Sequence, residues 1–306
     1  MARNLRDIRR KMKAIRSTRQ VTKAMELVAA SKMRRAVQNA HNLRRYALTA
    51  WKILQAMAQV HPGIHPYLAE RPPQRILAIL FTSDRGLCGS LNTQMFRMVG
   101  NYCKGLTTIP GFEKLSFIVV GKKGQQFLQR TGQDIIAAFP SLSNNARFRD
   151  ILPIVRMATD SFLSGTYDSV VLLYPDFVSA LVQAPTAKVL LPFTTSELRT
   201  MIESLGQRRH TPHGEEEAPS VAEYLFEPSQ EEILRTILPQ LTEMQAFQAL
   251  LEATASEHSA RMVAMRSASD NASDLLDDLS LTYNQTRQAG ITAELAELSA
   301  SKVALD

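Results

Sequence analysis

Residues 36–57, AVQNAHNLRRYALTAWKILQAM, place Ala36, Ala40, Leu43, Ala47, Ala50, Leu54 and Met57 at alternating steps of four and three. Such spacing keeps one apolar stripe facing a partner, so the segment reads as the seam of a coiled-coil helix. Toward the N-terminus Leu5, Ile8, Met12, Ile15, Val21, Met25 and Val28 continue the helical period, with no glycine or proline from residue 2 to residue 60. At 1.5 Å per residue an unbroken helix of this length spans roughly 85–90 Å, more than a compact domain of this size buries. The helix is therefore predicted to project, and His61-Pro62-Gly63 supplies its stop.

The other end of the chain has the same character. Ser229 and Glu232 form a capping-box pattern ahead of Ile233, Ile237, Leu241, Met244, Leu251, Met262, Met265, Ala272, Leu276, Leu279 and Tyr283, continuing to Leu295 and Leu298. Pro239 is expected to kink the first turns or force a restart near Leu241, and Gly290 is a weak point. Neither terminal helix hides its stripe alone, so the two are expected to pair antiparallel.

Between them the period changes. Short runs rich in β-branched or aromatic residues at 75–82, 116–120, 135–139, 169–174 and 182–191 alternate with helical stretches at 91–105, 122–131 and 148–163. This alternation predicts a Rossmann-like α/β domain with a largely parallel sheet, its last strand following a tight Pro175-Asp176 connection. The expected class is α+β overall: a long antiparallel coiled coil with an inserted α/β domain. The boundaries are 1–60 for the first helix, 61–228 for the inserted domain, with a polar mobile loop at 194–223, and 229–306 for the last helix.

Charge is unevenly divided. The net charge is +7, yet residues 1–60 hold fifteen Lys or Arg against Asp7 and Glu26, leaving the remainder at −6. A basic segment suits a solvated helix face, an acidic protein partner, an anionic surface or nucleic acid. Tyr46 and Trp51 are its only aromatics, which argues against a nucleic-acid coiled coil. No apolar run approaches the roughly 20 residues of a membrane span, and the N-terminus is too basic and amphipathic for a signal peptide.

Candidate chemistry is sparse. Ser83-Asp-Arg-Gly-Leu-Cys-Gly-Ser-Leu-Asn92 follows a strand and precedes a helix, where phosphate-cradling loops sit, but it matches neither GxGxxG nor GxxxxGK[ST]. It reads as a strand-to-helix turn whose glycines allow positive φ. Gly121-Lys-Lys-Gly124 reads as a helix N-terminus. Cys88 reads as a small buried hydrophobe, and Cys103 forms no CxxC with it. The histidine pairs His61/His65 and His210/His213 lack supporting carboxylates, so no metal and no cofactor is assigned.

Ile15–Met33 (IRSTRQVTKAMELVAASKM), Ser83–Gly89 (SDRGLCG), Ala260–Ala272 (ARMVAMRSASDNA) and Tyr283–Leu295 (YNQTRQAGITAEL) together resemble the signatures of the gamma subunit family of F-type, proton-translocating ATP synthases. The resemblance implies a rotating central stalk that transmits torque between a c-subunit ring and the catalytic alpha and beta hexamer, itself making no bond. It implies further partners in the epsilon subunit and a peripheral place on the cytoplasmic side of the cell membrane. Lys23 and Met25 match the region facing an acidic loop of a beta subunit. Arg261, Arg287, Gln288 and Thr292 match contacts to alpha and beta, and Tyr224, Phe226 and Glu227 match a segment touching the c ring or epsilon, Phe226 replacing a commoner tyrosine. No regulatory cysteine pair is present, so thiol switching is not expected.

Overall fold

The computed structural model describes residues 2–57, 66–69, 71–142, 147–193 and 230–303. The elements in order are α1 (Ala2–Met57), β1 (Arg75–Phe81), α2 (Leu91–Leu106), β2 (Lys114–Val120), α3 (Lys122–Arg130), β3 (Asp134–Phe139), α4 (Phe148–Leu163), β4 (Ser169–Phe177), β5 (Gln183–Leu191) and α5 (Gln230–Val303). They fall into two compact units, Met1–Ser31 with Arg261–Asp306, and Lys32–Ala260. The stop at His61-Pro62-Gly63, the Ser229 cap and the loop 194–223 lie outside the described residues.

The larger unit is built on a five-stranded sheet ordered β3-β2-β1-β4-β5. Its first three neighbour pairs are parallel and β4–β5 is antiparallel. On β1 the period of two sorts residues to two cores. Ile76, Ala78 and Leu80 pack with Met95, Val99 and Leu128 of α2 and α3. Leu77, Ile79 and Phe81 face Ile154, Phe162 and the α5 residues Leu238, Leu241 and Leu250. Both faces are covered, which is why β1 reads as a continuous apolar run and not as an alternation.

Two proline expectations are corrected. Pro175 and Asp176 are strand residues, paired with Pro185 and Ala184 of β5. Pairing of β4 with β1 ends at Leu173, so the missing amide of Pro175 deprives no β1 partner. The connection lies at Val178–Val182 instead. Of the two outcomes expected at Pro239 the restart near Leu241 does not occur, since α5 runs through it from Gln230. Leu238 and Leu241, at 1% and 0% exposure, anchor the turn around it in the core, and their burial offsets the one hydrogen bond lost.

Arg75 and Asp168 staple the starts of β1 and β4. The Arg75 backbone amide and Nε donate to Asp168 Oδ2 at 2.9 and 3.2 Å, and Nη2 donates to Oδ1 at 2.8 Å. These hydrogen bonds hold the Asp168 carboxyl below its ordinary value of 3.8. A depressed folded-state pKa adds stability above the unfolded value, and that stability is lost as pH falls through the folded one. An Asp168→Asn variant is expected to melt below wild type at pH 7, the gap narrowing below about pH 4. Melting temperatures across pH 2–7 check this, and a gap of constant width would show that the carboxylate charge is immaterial.

The smaller unit pairs the N-terminal half of α1 with the C-terminal half of α5. Thr22 and Ala29 are its buried α1 residues, with Ile8 and Ile15 half-buried, one residue every seven. The expected seam at Val21 and Val28 is thus displaced by one position, leaving those valines 55% and 57% exposed. Ala29, smaller than Val28, lets the helices approach closely at its level. On α5 the covered positions run Met265, Ser269, Ala272, Leu276, Leu279, Tyr283, Thr286, Gly290 and Ala293, a strict four-three repeat. Leu295, expected on this seam, is 60% exposed because it falls between two seam positions.

Candidate functional site

The turn after β1 is held from within. Asn92 Nδ2 donates to Ser83 Oγ at 2.7 Å and to Cys88 Sγ at 3.3 Å, and Ser83 Oγ donates to the Arg85 carbonyl at 2.8 Å. Cys88 is 2% exposed and sits as the small hydrophobe expected. Gly89 adopts φ 57°, and so does its non-glycine neighbour Leu87 at φ 64°, a conformation that costs about 1–3 kcal/mol in a residue with a Cβ. Leu87 is nevertheless 61% exposed.

Gly121 caps α3, as its sequence context suggested, and the first amides of that helix are already engaged. Lys122 N donates to Asp84 Oδ1, Lys123 N to the Ser83 carbonyl and Gly124 N to Thr82 Oγ1. Asp84 Oδ1 also accepts from Ser141 N at 3.0 Å, so one carboxylate ties together the turns that follow β1, β2 and β3. A phosphate gains nothing from donors already satisfied.

The place where an open α/β sheet holds a ligand is beyond the strand ends where the strand order reverses, here between β1 and β4. α5 fills it. Leu250, Ala253, Thr254 and Glu257 line a remnant of about 10 Å³ together with Ser83, Asn92 and Pro175. That volume is about one water, and Glu257 adds a carboxylate where a phosphate would lie. Among the described residues no three His, Cys, Asp or Glu stand close enough to hold a metal ion. Burial pushes the half-buried Cys103 thiol up, away from the thiolate that reactivity needs.

The residues singled out on the helices all fall in the smaller unit. Lys23 is exposed and its Nζ lies 2.9 Å from Glu26 Oε2, while Met25 is half-buried. Arg261 is half-buried, and Arg287, Gln288 and Thr292 are exposed. Tyr224, Phe226 and Glu227 lie outside the described residues. One pairing was not foreseen: Arg9 Nη2 donates to the Tyr283 hydroxyl at 2.6 Å, its guanidinium 5.6 Å from the ring centroid. It joins residue 9 to residue 283, which sets the antiparallel register. Tyr283 was legible as a seam residue, but only the register identifies its partner.

The surface these helices expose combines cations, amides and isolated apolar side chains, among them Leu27, Leu281 and Ile291. Such a surface suits contact with other proteins, and among the described residues none of its groups forms an acid–base or nucleophilic set.

Comparison with known proteins places this arrangement. A family model described as ATP synthase matches residues 4–305. The chain is similar to the ATP synthase gamma chain of Opitutus terrae, 42% identical over 301 residues and covering 98% of each chain. It is equally similar to that of Roseiflexus castenholzii, 42% identical over 303 residues with the same coverage. Among solved structures it resembles a chain of the central stalk and c ring of Tetrahymena thermophila mitochondrial ATP synthase, with 25% identity, TM-score 0.59, and coverage of 81% of this chain and 99% of that one. A chain of the Euglena gracilis mitochondrial enzyme shares the fold at 19% identity, TM-score 0.64, covering 100% of this chain and 95% of that one.

Proposed function

This chain belongs to the ATP synthase gamma chain family, and from that premise we propose that its two terminal helices are the shaft through which torque passes between a c-subunit ring and a hexamer of alpha and beta subunits. It is a central stalk subunit and not itself catalytic. The observation that carries the reading is the four-three seam shared by α1 and α5. A helix pair locked along a continuous seam resists bending and twisting, as a shaft must.

In this reading Lys23 and Met25 meet an acidic beta loop, and Arg261, Arg287, Gln288 and Thr292 touch alpha and beta. Tyr224, Phe226 and Glu227 belong to the end that meets the c ring and epsilon. The excess of fifteen Lys or Arg over Asp7 and Glu26 in residues 1–60 supports an acidic partner for the first helix, although Lys23 itself is paired with Glu26. Among the described residues no helix is long and apolar enough to cross a membrane. The chain is peripheral, and we place it on the cytoplasmic side of the cell membrane through the c ring.

The test is co-purification with coupled turnover. The tagged chain is expected to carry alpha, beta and epsilon subunits with it and to show no ATP hydrolysis alone. The Arg287→Ala, Gln288→Ala double variant is expected to leave the melting of the isolated chain within about 0.5 kcal/mol, because both residues are exposed. Proton-driven ATP synthesis by the assembled complex is expected to fall. Undiminished synthesis would remove both residues from the contact set.

A further inference from the structure

Within the smaller unit the seam hydroxyls stay on their own helix. Thr22 Oγ1 donates to the Arg19 carbonyl at 3.0 Å and Thr286 Oγ1 to the Thr282 carbonyl at 2.8 Å, so they fill space between the helices without bonding across it. The apolar grip also thins along α5. Met265, Ser269, Ala272 and Leu276 are buried, whereas Leu279, Tyr283, Thr286, Gly290 and Ala293 are only half-buried. Apolar contact is non-directional, and small side chains repeated at heptad spacing fit nearly as well one step along as in place.

Charge does not settle the offset either. Asp270, Asp274, Asp277 and Asp278 recur about once per turn on α5, and Arg6, Arg10, Lys13, Arg16 and Arg19 do the same on α1. Two such ladders attract each other in several registers. None of the four aspartates is in an ion pair among the described residues, and Arg10 takes Asp7 of its own helix at 2.9 Å. Arg9 does otherwise, since its Nη2 reaches across to the Tyr283 hydroxyl at 2.6 Å and its guanidinium lies 5.6 Å from the ring centroid. Among the described residues of this unit no other side-chain hydrogen bond joins α1 to α5. Tyr283 is also the only aromatic residue in segments 1–31 and 261–306, so no other offset offers Arg9 a ring and a phenol.

We propose that the Arg9–Tyr283 pair is the register key of the shaft, with Tyr283 the positioning residue that fixes one axial offset between α1 and α5 while load passes along them. The inference rests on the reading of this chain as the shaft. A helix pair under load relaxes by the least costly slip, about one turn or roughly 5 Å, and each slip dissipates work that a shaft should deliver. The guanidinium is planar and its donors are fixed in direction, so a shift of that size breaks the hydrogen bond and the ring contact together. A single polar group on a seam selects register in the same way, at some cost in stability. The apolar positions bind the two helices, and the pair decides where they are bound.

The experiment reads register and coupling on the same chains. In a Cys103→Ser background, with Cys88 buried, Gln20→Cys and Gln285→Cys carry spin labels at exposed positions of α1 and α5, and pulsed electron spin resonance gives the distance between them. The parent chain is expected to show one distance. Tyr283→Leu, which keeps an apolar side chain on the seam, is expected to add a second population displaced by about one turn. In the assembled complex Tyr283→Leu is expected to lower proton-driven ATP synthesis severalfold while ATP hydrolysis is retained, a split that loss of folding or of assembly does not produce. A single unshifted distance in Tyr283→Leu overturns the proposal, and so does a second distance accompanied by undiminished synthesis. If Tyr283→Leu does not fold, Tyr283→Phe, which removes only the hydroxyl, decides on the same two readouts. Failure of the parent chain to assemble with alpha and beta overturns the shaft reading instead, and the distances in the isolated chain still judge the key.

Discussion

Replacing Gly121 by alanine is expected to destabilise the larger unit by on the order of 4 kcal/mol, a large fraction of the stability of an ordinary domain. Gly121 holds φ 101° and ψ 141°, a region that residues with a Cβ scarcely enter. An added Cβ would stand 2.1 Å from the Thr82 carbonyl oxygen, a backbone atom that β1 does not let move. Thr82 N donates to the Val120 carbonyl at 2.9 Å and Gly121 N to the Phe139 carbonyl at 3.1 Å, so displacement there breaks the ladder on both sides. Gly100, inside α2, is the control. A Cβ there meets nothing within 4 Å, and Gly100→Ala is expected to stabilise by about 0.5–1 kcal/mol by restricting the unfolded chain. Chemical denaturation of the two variants reads both signs, and a Gly121→Ala midpoint near wild type would refute the account of the close approach.

In the smaller unit the largest effect is expected at Ala29→Leu. Ala29 is 2% exposed on the seam, and the added volume forces the helices apart or drives the side chain off its rotamer, at about 1–3 kcal/mol. Its neighbour Val28 is 57% exposed, and Val28→Ala is expected to change stability by less than about 0.5 kcal/mol. The contrast is a test of register. Equal effects at 28 and 29, followed by the loss of helical circular dichroism in denaturant, would return the seam to the valines.

The consequence for the assembled enzyme follows from geometry. A shaft whose two helices are forced apart at one level no longer presents the same surface at that level, so coupling is expected to suffer beyond what the melting shift alone implies. Lys23 and Met25 lie within one to two helical turns of Ala29 and would feel the displacement first.

Much of this was legible in the residues themselves. Apolar runs of five to ten residues separated by helical stretches named the five strands and three α-helices described between Arg75 and Leu191, because the periods of two and 3.6 follow from backbone geometry alone. The turn after β1 was recognised as a strand-to-helix connection, and it leads into α2. What was not legible depends on neighbours. Val21 and Thr22 both continue a helical period, and apolarity alone favours the valine. The seam instead takes Ile8, Ile15, Thr22 and Ala29, one every seven, because register against the partner helix selects the face, and not apolarity alone.

The same division holds for α5. Its length and its heptads follow from local sequence, since helix propensity and side-chain period act within a few residues. Its burial on nearly every side from Leu241 to Ser259, and its place in the crevice where an α/β sheet otherwise holds a ligand, do not. Those depend on which surfaces the sheet leaves open, and so do the strand that carries Pro175, the uninterrupted helix through Pro239 and the pairing of Arg9 with Tyr283. Periodicity is a property of one segment, and the chain determined it alone. Close approach, register and occupancy are properties of two segments at once, and only the folded protein decided them.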